Sequence, residues 1–302
     1  MDYDAMYTIT TSTDDKKPLK EIFDLSGKTA VVTGGCTGLG YSVASRLAEA
    51  GARVVIASRD AEKGAMIEKH FRDDLGYDVS FVAADVKKVE DCYGMIEFAE
   101  KKYGKVDILV PCAAVWYARA FVDMKPEEFD DIIETDMRGQ YFSIQAAARS
   151  MIRNKVEGKI VTVASVSHRS DDIKNIAMMT HYNTAKGGVV SMTRGIAREL
   201  KQYGIGINCV APGAMLTYGA MTCNASAAEL YGSEWEDAVA ENATDIPMSD
   251  SPDDVAMVIF TLCTDVANFM FGQVLDVDGG SQFSFQEEPW SYTMEGGTPG
   301  PK

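Results

Sequence analysis

Seven short runs of β-branched and aliphatic residues recur along this chain, each separated from the next by a stretch of helical character. The runs are Thr29–Val32, Val54–Ala57, Val79–Ala83, Val106–Val110, Ile160–Ala164, Ile207–Val210 and Val274–Val277. Between them lie Tyr41–Ala50, Asp60 to about Asp74, Val89–Tyr103, roughly Glu127–Met151, about Tyr182–Tyr203 and Pro252–Cys263. Gly51, Gly76 and Gly104 stand at or near helix stops. Apolar runs with little polar alternation are buried on both faces, as strands are when helices cover a parallel sheet. The pattern predicts an α/β fold: a doubly wound parallel sheet of about seven strands in three layers, αβα. Right-handed crossovers would then collect the C-terminal strand ends, and any ligand, along one edge. No composition break or internal repeat divides the pattern. One domain over 27–280 is expected, with an N-terminal extension at 1–26 and a C-terminal one at 281–302.

Charge narrows the partners. Lys and Arg number 29 against 45 Asp and Glu, a net −16, which repels nucleic acid and anionic membrane. No apolar run approaches the roughly 20 residues a membrane helix needs. Met1–Lys20 lacks the basic-then-apolar pattern of a signal peptide, and a cytoplasmic location is the expectation. The six cysteines show no CxxC spacing and read as reduced thiols. With His70, His168 and His181 the only histidines, no metal site is predicted.

Thr33 to Gly40 reads TGGCTGLG, between the first strand and the first helix. Glycine there permits a tight turn and close approach of backbone to a diphosphate, and the helix N-terminus offers free N–H groups. No Gly-Lys-Ser/Thr follows, so a triphosphate-binding loop is not supported. The second strand ends Ala57-Ser58-Arg59. A carboxylate at Ser58 would suit a ribose 2′-hydroxyl; the fork of Arg59 suits a phosphate instead. The expectation is NADP(H) in preference to NAD(H), opposed only by Asp60 next door. Asp85, ending the third strand and followed by Val86, is placed for the adenine edge or for a plain turn.

His181-Tyr182-Asn-Thr-Ala-Lys186 opens a helix, putting Tyr182 and Lys186 one turn apart on one face. Interconverting a ketone and an alcohol needs a proton donor or acceptor at the carbonyl oxygen. Free tyrosine titrates near 10, too high for a base at neutral pH, and an ammonium one turn away favours the phenolate.

Taken with the TGxxxGxG turn and Asp85, this pair resembles the short-chain dehydrogenase/reductase family across roughly 27–280. Asn208-Cys-Val-Ala-Pro212-Gly213, Thr217 and Asp278-Gly-Gly280 match as well. The resemblance implies a Rossmann-like sheet, NAD(P)(H), a homotetramer or dimer, and a Ser–Tyr–Lys site. In that scheme Ser165 bonds the substrate oxygen, with Ser167 the alternative; Tyr182 transfers the proton; Lys186 holds the nicotinamide ribose and tunes Tyr182. It also implies cofactor contacts from Gly34, Thr37, Gly38, Leu39, Gly40, Ser58, Arg59, Asp85, Val86, Ala113, Pro212, Gly213, Met215 and Thr217, besides Tyr182 and Lys186.

Two segments depart from the family pattern. Pro111-Cys-Ala-Ala114 stands where Asn-Asn-Ala-Gly is usual, and Asp136 where a supporting Asn would fall. Asp136 is carried over as a relay residue beside Lys186. Ser165 and Tyr182 are 17 positions apart, longer than is usual, and Met178 and Met179 lie in the extra length. A lid is expected over 214–248. Trp116, Met179, Tyr218 and Trp235 suit a bulky, ring-bearing small-molecule ketone of steroid, bile-acid or isoflavanone type. A sugar or polyol is the alternative, an acyl-carrier thioester comes third, and an NADPH-binding regulatory protein with little turnover is the reading from another class.

Overall fold

The computed structural model describes residues 16–169, 178–217, 219, 220, 228, 232, 248, 249 and 251–280. After a short helix α1 (Leu19–Ile22) the chain alternates strand and helix: β1 (Thr29–Thr33), α2 (Gly38–Glu49), β2 (Arg53–Ser58), α3 (Ala61–Lys69) and β3 (Val79–Ala83). It continues through α4 (Val89–Tyr103), β4 (Ile108–Pro111), α5 (Pro126–Ile132), α6 (Gly139–Asn154) and β5 (Lys159–Val163). Then come α7 (Thr180–Leu200), β6 (Gly206–Pro212), a two-residue strand β7 (Ala214–Met215), its partner β8 (Met248–Ser249), α8 (Asp253–Leu262) and β9 (Val274–Val277).

Seven strands form one parallel sheet in the order β3-β2-β1-β4-β5-β6-β9. The fold is the three-layer αβα arrangement that the alternation predicts. The chain runs outward from β1 to β3, then returns to the other side of β1, so β1 and β4 flank the switch point where such sheets bind ligands. Thr33, at the end of β1, is level with Ala57 on one side and Pro111 on the other.

Side chains alternate between two cores. Val32, Ile56, Val110 and Val210 face α2 and α8 through Leu47, Ile259 and their neighbours. Val31, Val55, Leu109 and Ile207 face α4, α6 and α7 through Met95, Met151 and Leu200. Each such side chain withdrawn from water contributes about 1.5–3 kcal/mol. Gly104, at φ +86°, stops α4 by the left-handed turn its lack of a side chain permits.

Of the segment expected as an N-terminal extension, the described part packs on the domain: Phe23 stacks on Phe260 with centroids 6.1 Å apart, and Leu25 is buried in the α2–α8 core. The helix expected over Glu127–Met151 runs without a break in helical backbone but is not α-helical throughout. A π-turn, Ile133–Arg138, separates α5 from α6, and its extra residue turns Thr135 and Asp136 inward. None of the described helices is long and apolar enough to cross a membrane.

Candidate active site

The glycine turn is as tight as the sequence requires. A side chain at Gly35 would meet Ile56 at 2.7 Å, and one at Gly40 would meet the Gly34 carbonyl oxygen at 2.3 Å. Gly34, at φ +66°, donates its N–H to Ala57 O at 2.8 Å and leaves no room against Ala113. Thr37 caps α2 by backbone alone, its side chain making no capping bond, so the first N–H groups of a twelve-residue helix face outward. Above Gly38 the nearest side chain is Thr217, 3.6 Å from where a Cβ would sit. A backbone cradle, a helix N-terminus and open space above them fit a diphosphate.

The neighbouring positions divide. Arg59 is exposed and makes no ion pair among the described residues. Asp60 is occupied elsewhere: its Oδ1 accepts Lys63 N at 2.9 Å and caps α3. Asp85 is tied into a turn, its Oδ1 accepting Lys87 N at 3.2 Å and its own N–H bonded to Asp91. Val86 is buried and backs Gly139. Ala113 N bonds Thr33 Oγ1 at 3.0 Å across the switch point. Gly213 N bonds Val277 O at 2.9 Å, and a Cβ there would strike Asp278 at 2.7 Å. That contact aims the chain after Pro212 back toward Gly38, through Met215 and Thr217.

Tyr182 and Lys186 lie in the first two turns of α7. Lys186 is 1% exposed, with its ammonium 5.3 Å from the centre of the Tyr182 ring. The nitrogen has two anchors: Val163 O, the last carbonyl of β5, at 3.3 Å and Asp136 Oδ2 at 3.1 Å. Asp136 is fully buried, and its other oxygen accepts Val115 N at 2.8 Å. Burial pushes the Asp136 carboxyl above the usual carboxylate range, opposed by the ammonium beside it. Burial pulls Lys186 down, but the Asp136 carboxylate, with Tyr182 behind it, holds the ammonium above the ordinary lysine value.

Ser165 follows β5 by two positions and is half-buried. Its Oγ lies 3.1 Å from Ser167 Oγ and accepts Ser167 N at 3.2 Å, a hydroxyl-closed turn at the strand end. His181 is buried against Tyr117, with ring centroids 5.3 Å apart and Nε2 at 3.0 Å from Tyr117 O. Of the four residues expected to line a substrate pocket, Trp116 is half-buried and Met179 is buried at 8% exposure. Tyr218 and Trp235 lie outside the described residues. Sequence reasoning missed Gln140, 2% exposed, whose side chain bonds both main-chain groups of Val163. No group of three or more metal-ligating side chains is present among the described residues.

A family profile described as enoyl-(acyl carrier protein) reductase matches residues 34–282. The L-rhamnose-1-dehydrogenase of Scheffersomyces stipitis is 29% identical over 259 residues, 85% of this chain and 96% of that protein. An L-rhamnose 1-dehydrogenase (NAD(P)(+)) of Sphingomonas sp. is 32% identical, over 87% of this chain and 99% of its own. The crystal structure of a short-chain type dehydrogenase/reductase from Mycobacterium marinum is similar at a TM-score of 0.77 and 31% identity, covering 87% of this chain and 98% of that one. With the glycine turn, the Tyr–Lys helix and the parallel sheet on the same residues, the chain belongs to the short-chain dehydrogenase/reductase family and is an NAD(P)-dependent oxidoreductase acting on CH–OH groups.

Proposed function

We propose that this protein interconverts a hydroxyl and a carbonyl of a sugar or polyol, with Ser165, Tyr182 and Lys186 as the reacting and tuning groups and NADP(H) as the favoured cofactor. One observation carries the chemistry: a buried ammonium set against the Tyr182 ring and tied on its far side to Asp136 and Val163. An ammonium held there favours the phenolate, so Tyr182 can take a proton from an alcohol or return it to a carbonyl. The Ser165 hydroxyl, at the end of β5, would bond the substrate oxygen and orient it toward Tyr182. Asp136 keeps Lys186 charged inside a dry site. The turn from Gly34 to Gly40, with Ser58, Arg59, Asp85, Val86, Ala113, Pro212, Gly213, Met215 and Thr217, would hold the cofactor. When bound, the nicotinamide supplies or accepts the hydride.

The substrate class rests on the two rhamnose dehydrogenases. No relative named above favours the steroid, bile-acid or isoflavanone type. An acyl-carrier thioester is the second reading, supported by the description of the matching family profile. The lid over 214–248 belongs to the proposal: its two ends pair in parallel, Ala214 with Met248 and Met215 with Ser249, so the segment leaves just beyond Gly213 and returns alongside its own start. Exposed Phe129, Tyr141 and Ile152 on α5 and α6 support a homo-oligomer.

The test is a panel of aldoses, polyols, ring ketones and 3-oxoacyl thioesters with each cofactor, followed at the nicotinamide absorbance, with Tyr182→Phe as control. The variant is expected to lose about 10²–10⁴-fold in kcat with cofactor affinity preserved. Near-full activity in Tyr182→Phe would sink the mechanism. Cofactor binding with no turnover on any panel member would favour a regulatory protein.

A further inference from the structure

Val163 is the last residue of β5. Its neighbour Ala164 donates to Val210 O on β6 at 2.8 Å, so backbone alternation turns the N–H and C=O of Val163 the other way, toward β4. There the ladder has run out. The β4–β5 register covers Ile108 with Lys159 and Leu109 with Ile160, and β4 ends at Pro111, which by that register reaches only the level of Thr162, one position short of Val163. The amide of Gln140 stands in for the absent strand. Its Nε2 donates to Val163 O at 2.9 Å, and its Oε1 accepts Val163 N at 3.4 Å. A glutamine side chain can do this because its primary amide presents a donor and an acceptor side by side, as a peptide unit does. The Val163 carbonyl is also one of the two anchors of Lys186, and the other, Asp136, lies four residues before Gln140.

We infer that Gln140 is a positioning residue for the reaction. By completing the ladder at Val163 it fixes the carbonyl that holds Lys186 under Tyr182, and with it the strand end from which Ser165 projects. Asp136 and Gln140 thus grip one ammonium together, one by charge and one through a shared acceptor. An apolar side chain of equal size would fill the space but leave the Val163 N–H unpaired in a dry site and its carbonyl held by Lys186 alone, free to shift. The inference rests on the reading of Ser165, Tyr182 and Lys186 given above.

Three variants of the full chain test it: Gln140→Met, Gln140→Glu and the Tyr182→Phe control. In Gln140→Met, hydrogen exchange in the peptide spanning Val163 is expected to speed up, and kcat to fall about tenfold or more at every pH with cofactor affinity nearly unchanged. Gln140→Glu separates bonding from packing. A protonated glutamic acid keeps a donor and an acceptor and a carboxylate keeps only acceptors, so its kcat should approach the parent's at low pH and fall away as pH rises. Should Gln140→Met not fold, the pH-dependent loss in Gln140→Glu decides alone. Parental kcat and parental exchange at Val163 in both variants would overturn the inference, as would losses confined to melting temperature. Activity surviving in Tyr182→Phe would remove the underlying reading; activity lost there but kept in both Gln140 variants would remove this inference only.

Discussion

A carboxylate and an ammonium buried together are stable only when both are fully partnered, and breaking such a pair costs more than making it returns. Asp136 and Lys186 face each other at 3.1 Å, with Val115 N and Val163 O as outer partners. Among the described residues, Asp136 Oδ2 has the ammonium as its only neighbour of opposite charge and no other hydrogen bond. Asp136→Asn would keep the Val115 bond and remove the charge. Burial would then act on Lys186 against only the weaker pull of Tyr182 and Cys209, and move its pKa down. The alkaline limb of the kcat/KM profile, where the ammonium loses its proton, is therefore expected at lower pH; an unmoved limb would show that the Asp136 charge does not tune the site. Asp136→Leu, which strands the ammonium, is expected to cost about 3–5 kcal/mol of stability, read from the urea midpoint. At the far end of the cofactor groove, Arg59→Ala should lower the ratio of kcat/KM for NADP(H) over NAD(H) about tenfold or more. Asp60 is not expected to compensate, since its carboxylate is committed to capping α3. Tyr182 and Lys186 were legible because helix spacing alone sets them on one face. Gln140 was not, because its partner Val163 lies 23 positions away and the need it meets is created where a third element, β4, ends short of Val163.

The elements show the same division. Strand and helix signals are local, so the predicted runs fall within a few residues of the observed ones. The π-turn at Ile133–Arg138 escaped, because a stretch of ordinary helical periodicity carries no mark of one extra residue per turn. Contacts between elements far apart in sequence escaped too. Arg46 on α2 grips Asp253 in the first turn of α8, Nε to Oδ1 at 2.8 Å and Nη2 to Oδ2 at 2.5 Å, across 207 positions. Hydrogen bonding to Arg46 holds the Asp253 carboxyl below the usual range. A depressed folded-state pKa gives stability that is present above the unfolded value, near 3.9, and lost as pH falls through the lower folded value. The pair is about one-third exposed, so Asp253→Asn should cost less than about 1 kcal/mol near neutrality. The difference between variant and parent in denaturant melts should vanish on acidification; a gap that persisted at pH 2 would assign it to packing.

For the whole molecule, a net charge of −16 repels itself once the chain is compact. Added salt screens that repulsion over about 10 Å at 0.1 M, so the melting temperature should rise between low and moderate salt; a fall would mean that ion pairs such as Arg46–Asp253 outweigh it. The sheet order has a consequence for how the protein is made. Each strand after β1 joins the outer edge of strands already synthesised, so the sheet can grow as the chain leaves the ribosome. One face cannot be finished on that schedule. Val255, Ile259, Phe260 and Leu262 on α8 cover the side of the sheet packed by α2, and they emerge only after β6. Until then the nascent chain carries a nearly complete sheet whose face beyond α2 is apolar and wet, the interval in which a chaperone would find it.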